Sequence, residues 1–479
     1  MKNWIANIAT DGEVEFIMEK VADLLEEHGV RIDHEEVSAI LEKAGATQGP
    51  DGRTRFPKKL QAEALAAAPR EFLVAGAEEK YDVPIPHPEG SFYAQGPIGQ
   101  MFYLDPLTNE RRECTMADQE DYIKVQQALE GINFWGNFTA KVDGFPVQTL
   151  DLHTAALCFT HCAKPGTWMI YNESSIPYGI EMAEVIAGGA KAHSERPLFA
   201  LESASASPMG LNHMDAEMIL QSARRKIPLI CASLPTAGAN APITPEGVAF
   251  LAVAEGIYQV IIAQLIQPGA PAFIGSLHLT MDMKTMATIS PTIELMRSMM
   301  LSVQTIERGY HLPTRTLGGS ANAHTLDMQA IAEEAIASQL MAVAGGTLLD
   351  NFGTYDNWNT ASPLQLIIDN DLIAMAKSLK SGVTVDLERI GYEAIRDFKT
   401  GTAFLNTPHT LRHFKEVLQP KTFVRTTLTD WESKGGRNMI DLAREQYKKI
   451  IEKHQPVAHA PEVVKELNDI VSRADREFS

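Results

Sequence analysis

Eight short apolar segments alternate with eight longer helix-like segments between residues 91 and 385, and this alternation constrains the fold more than any other feature. Strands that alternate with helices form right-handed parallel crossovers, and eight such units close into a (β/α)₈ TIM barrel. The predicted strands are 92–95, 133–138, 167–172, 198–203, 229–234, 272–276, 314–318 and 347–352. The predicted helices are 116–130, 149–162, 175–193, 211–226, 244–266, 290–310, 325–344 and 363–381.

The alternative α/β architecture is a doubly wound open sheet. Such a sheet usually carries a phosphate-binding G-x-G-x-x-G after its first strand, and none follows any predicted strand here. The barrel interpretation therefore divides the chain into three parts. Residues 1–90 form an N-terminal helical or α+β extension that begins with a helix at 13–28, residues 91–385 form the barrel, and residues 386–479 form a helical segment that packs on it.

Composition excludes several classes of partner. The chain has 42 basic and 61 acidic residues, a net charge of −19, which disfavours binding to nucleic acid or to an anionic membrane. Four cysteines in 479 residues are too few for a disulfide framework. The first twenty residues lack the apolar core of a signal peptide, and the apolar stretch 248–266 contains Glu255 and two glutamines, which indicates a buried helix. These features predict a soluble cytoplasmic protein.

The strand ends of the predicted barrel are rich in aromatic residues. An active site in this fold lies where strands end and loops begin. Those positions contain few of the lysines, cysteines and histidines that acid–base or nucleophilic catalysis uses. Aromatic faces suit a quaternary ammonium ion, which offers no N–H for a hydrogen bond. The alternative for each ring is packing within the barrel. The rings are Trp135, Phe138, Tyr171, Phe352, Tyr355 and Trp358, of which Tyr355 and Trp358 lie in a polar loop without an obvious core to fill.

Arg315 lies on the predicted seventh strand and is a candidate clamp for a carboxylate through two charge-assisted hydrogen bonds. The alternative is a salt bridge to a neighbouring acid such as Asp350 or Glu202. An aromatic cage combined with an arginine would describe a site for a betaine, which is a permanent cation and a carboxylate in one small molecule. The predicted substrate-binding set is Arg315, Trp358, Tyr355, Phe352, Asn351, Phe138, Tyr171, Gln95 and Glu202.

Two groups of potential metal ligands stand outside this set. Cys158, His161 and Cys162 share one face of a predicted helix, a pattern compatible with zinc, although packing on the barrel is the competing interpretation. His278 with Asp282 is a weaker combination. No G-x-S-x-G nucleophile elbow is present. We expect a site without a bound metal and without a covalent or acid–base catalytic residue.

One long segment, LPTAGANAPITPEGVAFLAVAEGIYQVIIAQLIQPGAPAFIGS, resembles the trimethylamine methyltransferase family. The matching features are a P-x-x-G-A-x-A-P-[IV]-T stretch at 235–244, then a helix, then Q-L-x-x-P-G-A-P at 264–271. Further matches occur at 312–313, 327–330 with Glu333, 344–345 and 368–371, so that the resemblance covers residues 90 to 470 in order. The resemblance implies a TIM barrel and methyl transfer from an amine to the Co(I) corrinoid of a separate small protein.

One departure from the family pattern bears on the substrate. Members that act on trimethylamine carry pyrrolysine near the start of the helix after strand seven, which is similar to residues 320–333 here. Only ordinary residues occur in that segment, with Gln329 our choice for the aligned position. The chain is therefore identified as a non-pyrrolysine member, a group that includes demethylases of quaternary amines such as glycine betaine.

A quaternary amine needs little from the enzyme beyond positioning, because its leaving group is already a neutral tertiary amine. The resemblance implies that the corrinoid is supplied by a cognate partner protein, and no tightly bound cofactor is expected. Glycine betaine, proline betaine and carnitine remain open as substrates. We expect Asn351, Asp350 and the loop 354–360 to distinguish them. A homo-oligomer is also expected. The alternative functions are a non-catalytic betaine-binding barrel and a zinc-dependent corrinoid methyltransferase that uses the Cys158 cluster.

Overall fold

The computed structural model describes residues 5–142, 144–399, 401 and 403–478, and its centre is a parallel β-barrel. We number the barrel strands β1 to β8. In the sheet β1 neighbours β8, and the order continues through β7, β6, β5, β4 and β3 to β2. A parallel bridge between Gln95 and Phe134 joins β1 to β2 and closes the barrel. The strands are Tyr93–Ala94, Trp135–Gly136, Gly166–Trp168, Phe199–Ala204, Leu229–Ser233, Ala272–Ser276, Thr314–Leu317 and Leu348–Asp350. All eight predicted strands and the predicted fold are confirmed.

Helices surround the barrel as predicted, with one correction. The predicted helix 175–193 is two helices, because Gly188 and Gly189 adopt left-handed backbone angles, with φ of 85° and 127°, that end the first of them. The helices up to the end of the barrel are α1 Asp11–Glu27, α2 Glu35–Ala44, α3 Lys58–Ala67, α4 Met116–Ala128, α5 Leu150–His161, α6 Ile176–Ala187, α7 Ala190–Glu195, α8 His213–Arg225, α9 Pro245–Ile266, α10 Ile293–Gln304, α11 Met328–Ala344 and α12 Pro363–Lys380. The remaining helices are α13 Tyr392–Arg396, α14 Pro408–His413, α15 Leu428–Ser433, α16 Met439–Lys453 and α17 Pro461–Phe478.

The lower end of the barrel is closed by an antiparallel hairpin from the N-terminal part of the chain, Phe72–Val74 with Val83–Ile85. Its side chains form one apolar cluster with residues that point into the barrel. A ligand can therefore enter only from the other end, where the strands finish. The inward-pointing residues of this cluster are Tyr93, Phe134, Ala200, Ile230, Ala232, Phe273 and Leu348.

Within the described part of the chain, α9 is the one helix that is long and apolar enough to cross a membrane. In its most apolar stretch, 83% is buried inside the fold. Helices α1, α2, α3, α8 and α10 contact it. It is therefore a core helix, as its sequence predicted. The division of the chain at residues 90 and 385 stays a prediction, because N-terminal helices share a core with the barrel and α16 and α17 pack against α12, α4, α5 and α6.

Two small sheets stand at the open end of the barrel and fix its long loops. The loops after β5 and β6 contribute Thr236–Ala237, Leu279–Met281 and Thr288–Ile289 to a three-stranded sheet. The loops after β1 and β8 form a four-stranded sheet from Phe102–Leu104, Arg111–Arg112, Thr354–Tyr355 and Thr360–Ala361. The other short strands are Arg31–Ile32, which pairs with Gly210–Leu211, and Thr47–Gln48, which pairs with Thr54–Arg55.

Candidate active site at the barrel mouth

A polar layer lies directly above the apolar cluster inside the barrel. Successive inward-facing side chains of a strand are two residues apart. The apolar cluster contains Tyr93, Ala200 and Leu348. Two residues further along the same three strands lie Gln95, Glu202 and Asp350, which belong to the polar layer. The hydroxyl of Thr167 donates to Gln95 Oε1 over 2.6 Å. The predicted residues Gln95 and Glu202 thus belong to the interior of the barrel, where a substrate that enters from the mouth would end.

Arg315 occupies the same layer, fully buried, between two acids. Its Nη1 lies 3.0 Å from Glu202 Oε1, and its Nη2 lies 2.5 Å from Asp350 Oδ2. The salt-bridge alternative is therefore present, and with both acids at once. Burial raises the pKa of Asp350 to about 7, which the Arg315 guanidinium opposes and the Glu202 carboxylate reinforces. When Asp350 is ionised, two negative charges face one positive charge, and the layer attracts a cation.

Several buried polar atoms in this layer have no hydrogen-bond partner among the described residues. They are the donors Arg315 Nε and Gln95 Nε2 and the acceptor Glu202 Oε2. An unpaired buried polar atom destabilises a fold by about 1–3 kcal/mol, so such a group usually has another purpose. The Glu202 side chain retains 8% exposure, whereas Arg315 and Asp350 have none. Glu202 is thus the most accessible of the three charged side chains, and the layer presents unpaired donors together with an unpaired acceptor.

Three of the predicted cage residues are fully buried in packing contacts. The ring of Phe138 lies 4.5 Å from the ring of Tyr122. The hydroxyl of Tyr355 donates to Gln365 Oε1 over 2.9 Å, and the ring of Phe352 lies against Gly318. Packing between the barrel and its helices accounts for all three rings, and a role for them in substrate binding stays a prediction. Trp135, another strand-end aromatic, packs edge to face on Phe159 of α5.

Tyr171 is the predicted aromatic residue that the structure brings to the acids. It is half-buried, its main-chain N–H donates to Asp151 Oδ2 over 3.0 Å, and its hydroxyl donates to the Thr139 carbonyl over 3.4 Å. Burial raises the pKa of Tyr171, and the nearby charges of Asp151 and Glu202 add to this rise. A neutral phenol ring beside Glu202 gives the cation an aromatic face together with a carboxylate.

The loop after β8 holds the two remaining predicted residues in left-handed backbone conformations. Asn351 has φ of 60°, is 4% exposed, and its Nδ2 lies 3.4 Å from Asp350 Oδ1. Trp358 has φ of 68° and a buried indole N–H without a described partner. Asp356 and Asn357 also have positive φ, so three consecutive residues adopt a conformation that side chains disfavour. Asn351 therefore positions Asp350, and Trp358 stands on a strained loop beside the mouth.

Sequence reasoning missed a set of helix acids that hold the loops of the mouth. Each accepts a hydrogen bond from a main-chain N–H in a loop at the mouth, which precedes the acid's own helix in three of the five pairs and precedes α8 in the pair of Glu255. The detectable signal was an acid within an otherwise apolar helix, as with Glu255 in α9. These pairs are Asp151 with Tyr171 at 3.0 Å, Asp215 with Ala204 at 2.6 Å, Glu255 with Met209 at 2.8 Å, Glu333 with Asn322 at 2.6 Å, and Asp369 with Gly353 at 2.6 Å. In the first pair the loop instead follows the helix that bears the acid.

Helix α11 places Gln329, the residue predicted to occupy the pyrrolysine position, on its exposed first turn. Its Nε2 donates to Glu333 Oε1 over 3.0 Å. Glu334, further along α11, is fully buried beside Gly319, with both carboxyl oxygens unpaired among the described residues. Burial, reinforced by the charge of Asp369, raises the pKa of Glu334 well above its usual range. Burial thus favours the neutral form of Glu334, and the assignment of Gln329 to the special position stays a prediction.

The two candidate groups of metal ligands do not come together within the described residues. Burial raises the pKa values of Cys158 and Cys162, so that neither is a ready thiolate ligand, and His161 Nδ1 lies 3.3 Å from His454 Nε2. The ring nitrogens of His278 contact three serines, whereas Asp282 caps an exposed turn. In the described ranges, the group of three ligand atoms that lie within 4.8 Å of one another is Glu388, His409 and His413, which is outside the barrel.

Comparisons with known proteins complete the description of the site. The family model for trimethylamine methyltransferases matches residues 3–479. A trimethylamine methyltransferase of Desulfitobacterium hafniense is 26% identical over 476 residues, covering 98% of this chain and 94% of the relative. A glycine betaine methyltransferase of the same species is 24% identical over 474 residues, covering 98% of both chains. A crystal structure of the Methanosarcina barkeri monomethylamine methyltransferase aligns with a TM-score of 0.49 at 12% identity, over 91% of this chain and 92% of that one.

Proposed function

Because this chain belongs to the trimethylamine methyltransferase family and is therefore a methyltransferase, we propose that it removes a methyl group from a betaine and delivers it to the corrinoid of a partner protein. The observation that carries the proposal is the polar layer. Glu202 and Asp350 attract the quaternary nitrogen, and the unpaired Nε of Arg315 and Nε2 of Gln95 are free to donate to the substrate carboxylate. A relative that is named for glycine betaine supports the same substrate class.

The chemistry asks the chain to bind and orient rather than to exchange protons. The partner's corrinoid supplies the nucleophile, and the leaving group of a quaternary amine is a neutral amine that needs no protonation by a general acid. The positive charge on nitrogen disappears as the methyl group leaves, so attraction to Glu202 is strongest in the ground state. Contacts between Arg315 and the substrate carboxylate do not change during the reaction, so they stabilise the ground state and the transition state equally. The closed lower end of the barrel keeps water from that side.

A methyl-transfer assay tests the proposal directly. The protein is incubated with glycine betaine, proline betaine, carnitine or γ-butyrobetaine and a cognate corrinoid protein reduced to Co(I), and the absorbance of the methylated corrinoid is followed. We expect a signal with at least one betaine. A signal with trimethylamine and none with any betaine would contradict the substrate class. Tight betaine binding without methyl transfer would favour the alternative of a non-catalytic binding protein.

The mouth of the barrel is surrounded by exposed apolar side chains, which we call the mouth ring. All of them lie on loops, or at helix starts, that follow strand ends. Flexible methionines are common on surfaces that bind other proteins. A corrinoid protein must approach this end of the barrel, since the other end is closed, so the mouth ring supports docking of that partner. Its members are Met101, Leu107, Val147, Ile243, Met283, Met286, Ile293 and Met328, each between 39% and 90% exposed.

We expect Met283→Glu to weaken association with the corrinoid partner by about tenfold or more, because a buried carboxylate without a partner opposes docking. Betaine binding should be unchanged, since Met283 is 63% exposed and outside the polar layer. Phe16→Glu, at a position 59% exposed on α1, is the matched control. The dissociation constant is measured by titrating each variant onto the corrinoid partner immobilised on a surface. Equal values for the wild type and Met283→Glu would remove this part of the ring from the docking surface.

The affinity for a betaine is expected to rise with pH, by up to about tenfold between pH 6 and pH 8. The pKa of Asp350 is about 7, so most Asp350 is neutral at pH 6 and ionised at pH 8. A permanent cation binds the ionised form more tightly and releases the proton, while the betaine carboxylate stays ionised throughout. Calorimetry at pH 6, 7 and 8 measures the trend, and Asp350→Asn should give a flat profile. The same slope in both proteins would exclude Asp350 as its origin.

A further inference from the structure

Residues 383–428, which we call the arm, leave the barrel after α12 and carry large apolar side chains into solvent. Helices α13 and α14 of the arm contain no buried residue. The arm holds fourteen of the twenty-seven exposed large apolar residues in the described part of the chain, so this surface is concentrated there. They are Val383, Val385, Leu387, Ile390, Tyr392, Ile395, Phe398, Phe404, Leu405, Leu411, Phe414, Val417, Val424 and Leu428, with exposures from 42% to 79%.

Such a segment cannot hold its conformation through a core of its own. Ordering the backbone opposes folding by about 1–2 kcal/mol per residue, which burial of apolar side chains normally offsets. Within the arm the main contacts are polar. The Glu388 carboxylate lies 2.7 Å from Arg412 and 3.1 Å from His413, and His413 also lies 2.9 Å from Glu416. Exposed ion pairs of this kind contribute little stability. The arm therefore needs a surface outside itself.

The same ion pairs explain the Glu388, His409 and His413 cluster without a metal ion. Hydrogen bonds from the His413 ring to the carboxylates of Glu416 and Glu388 raise the pKa of His413, which favours the protonated ring. His409 Nε2 lies 2.9 Å from the Glu388 carbonyl oxygen. These contacts fold the arm around a groove of about 800 Å³ between α13 and α14, lined in part by Leu387, Tyr392 and Phe398. The groove is wide enough to receive side chains from another protein surface.

Charge indicates what that surface is. The arm has seven basic and five acidic residues, a net charge of +2, whereas the whole chain has −19. The rest of the chain therefore carries −21, and a second copy presents a surface of opposite sign to the arm. Fourteen side chains of this size at these exposures offer on the order of 1,000 Å² of apolar surface per arm. Two arms used reciprocally reach the upper end of the roughly 1,200–2,000 Å² that stable interfaces bury.

We infer that the arm is a self-association element that packs on the acidic body of a second copy of this chain. Two copies that exchange arms form a symmetric contact in which each buries the other's apolar side chains. The mouth ring is a separate surface and remains available to the corrinoid partner. Self-association through the arm does not depend on the proposed substrate, and an experiment on mass distinguishes it from the methyl-transfer assay.

The test is the molar mass of the full chain, measured by light scattering after size-exclusion chromatography at 1 to 100 µM. We expect the wild type to be a dimer or a larger assembly of the 52.6 kDa chain. The double variant Leu405→Glu, Leu411→Glu should dissociate to a monomer, with at least a hundredfold weaker association. Both side chains are exposed, at 72% and 62%, so the monomer fold should be retained in circular dichroism. The double variant Phe16→Glu, Ile336→Glu makes the same change at exposed positions outside both the arm and the mouth ring and should keep the wild-type mass.

A second measurement reports on the arm itself. Amide hydrogen exchange in residues 383–399 should be slow at 100 µM and fast in the Leu405→Glu, Leu411→Glu variant. A monomeric wild type at 100 µM would overturn the inference. An unchanged mass in the arm variant would also overturn it, and if that variant in addition failed to bind the corrinoid protein, the arm would belong to the hetero-complex instead.

Discussion

Replacing Arg315 by methionine is expected to abolish methyl transfer from a betaine and to lower the free energy of unfolding by about 3–5 kcal/mol. Methionine fills the same space without charge, so Glu202 and Asp350 would face each other in the barrel without a counter-ion. The pKa of Asp350, already about 7, would then rise further. A carboxyl group whose pKa is higher in the folded state than in the unfolded state stabilises the fold only while it is protonated. Because this applies to Asp350, the variant should lose stability as the pH rises from about 4, the pKa of an unfolded aspartate, towards and beyond 7.

Urea unfolding at pH 5 and pH 8 measures this effect. Arg473→Met is the control, since the Arg473 side chain is 47% exposed and pairs with Glu181 on the surface, and it should change stability by less than about 1 kcal/mol. Arg315→Lys keeps a charge but lacks Nε, and should raise the KM for a betaine more than that for tetramethylammonium, which has no carboxylate. An equal rise for both substrates would remove Arg315 from carboxylate binding.

The second large effect is expected for Glu202→Gln, with a ten- to hundredfold higher KM for the betaine, equivalent to about 1.4–2.8 kcal/mol of binding free energy. The amide keeps the shape and can still accept from Arg315, but it removes the charge that attracts the quaternary nitrogen. Since that attraction weakens as the methyl group departs, kcat should stay constant or rise slightly. Steady-state methyl transfer at varied betaine concentration separates the two constants.

Glu217→Gln provides the matched control, because Glu217 contacts His34 on the outer side of α8 and should leave both constants unchanged. A fall in kcat with a constant KM for Glu202→Gln would mean that Glu202 acts mainly in the transition state. In that case the polar layer would assist the departure of the methyl group instead of holding the cation in the ground state.

The barrel itself was predictable because each strand is a short apolar run and each helix a longer segment of different periodicity. The ends shifted by a few residues, and the split at Gly188 and Gly189 depended on backbone angles that the surrounding helix pattern hid. Arg315 and its alternative partners Glu202 and Asp350 were named from their strand-end positions, but whether Arg315 contacts both acids at once depends on how the barrel closes. Sequence distance gives no measure of that contact.

The aromatic residues show where prediction from the strand pattern fails. Alternation assigns inward and outward faces only while the chain is a regular strand, and β2 ends at Gly136, two residues before Phe138. Phe352 and Tyr355 likewise follow the end of β8. Beyond a strand end the loop path decides where a ring points, and here it points into helix contacts. Glu334 was overlooked for a related reason, since an acid next to Glu333 on a helix is ordinarily exposed.

The hydrogen bonds between helix acids and loop amides have a consequence for making chimaeras of this enzyme. The conformation of the loop after β8 depends on Asp369 of α12, and that of the loop after β7 depends on Glu333 of α11. A loop grafted alone from a relative with another substrate would lose its anchor, whereas a loop grafted together with the helix that follows would keep it. We therefore expect substrate preference in this barrel to be exchanged in loop-and-helix blocks, two of which contain Asp369 and Glu333.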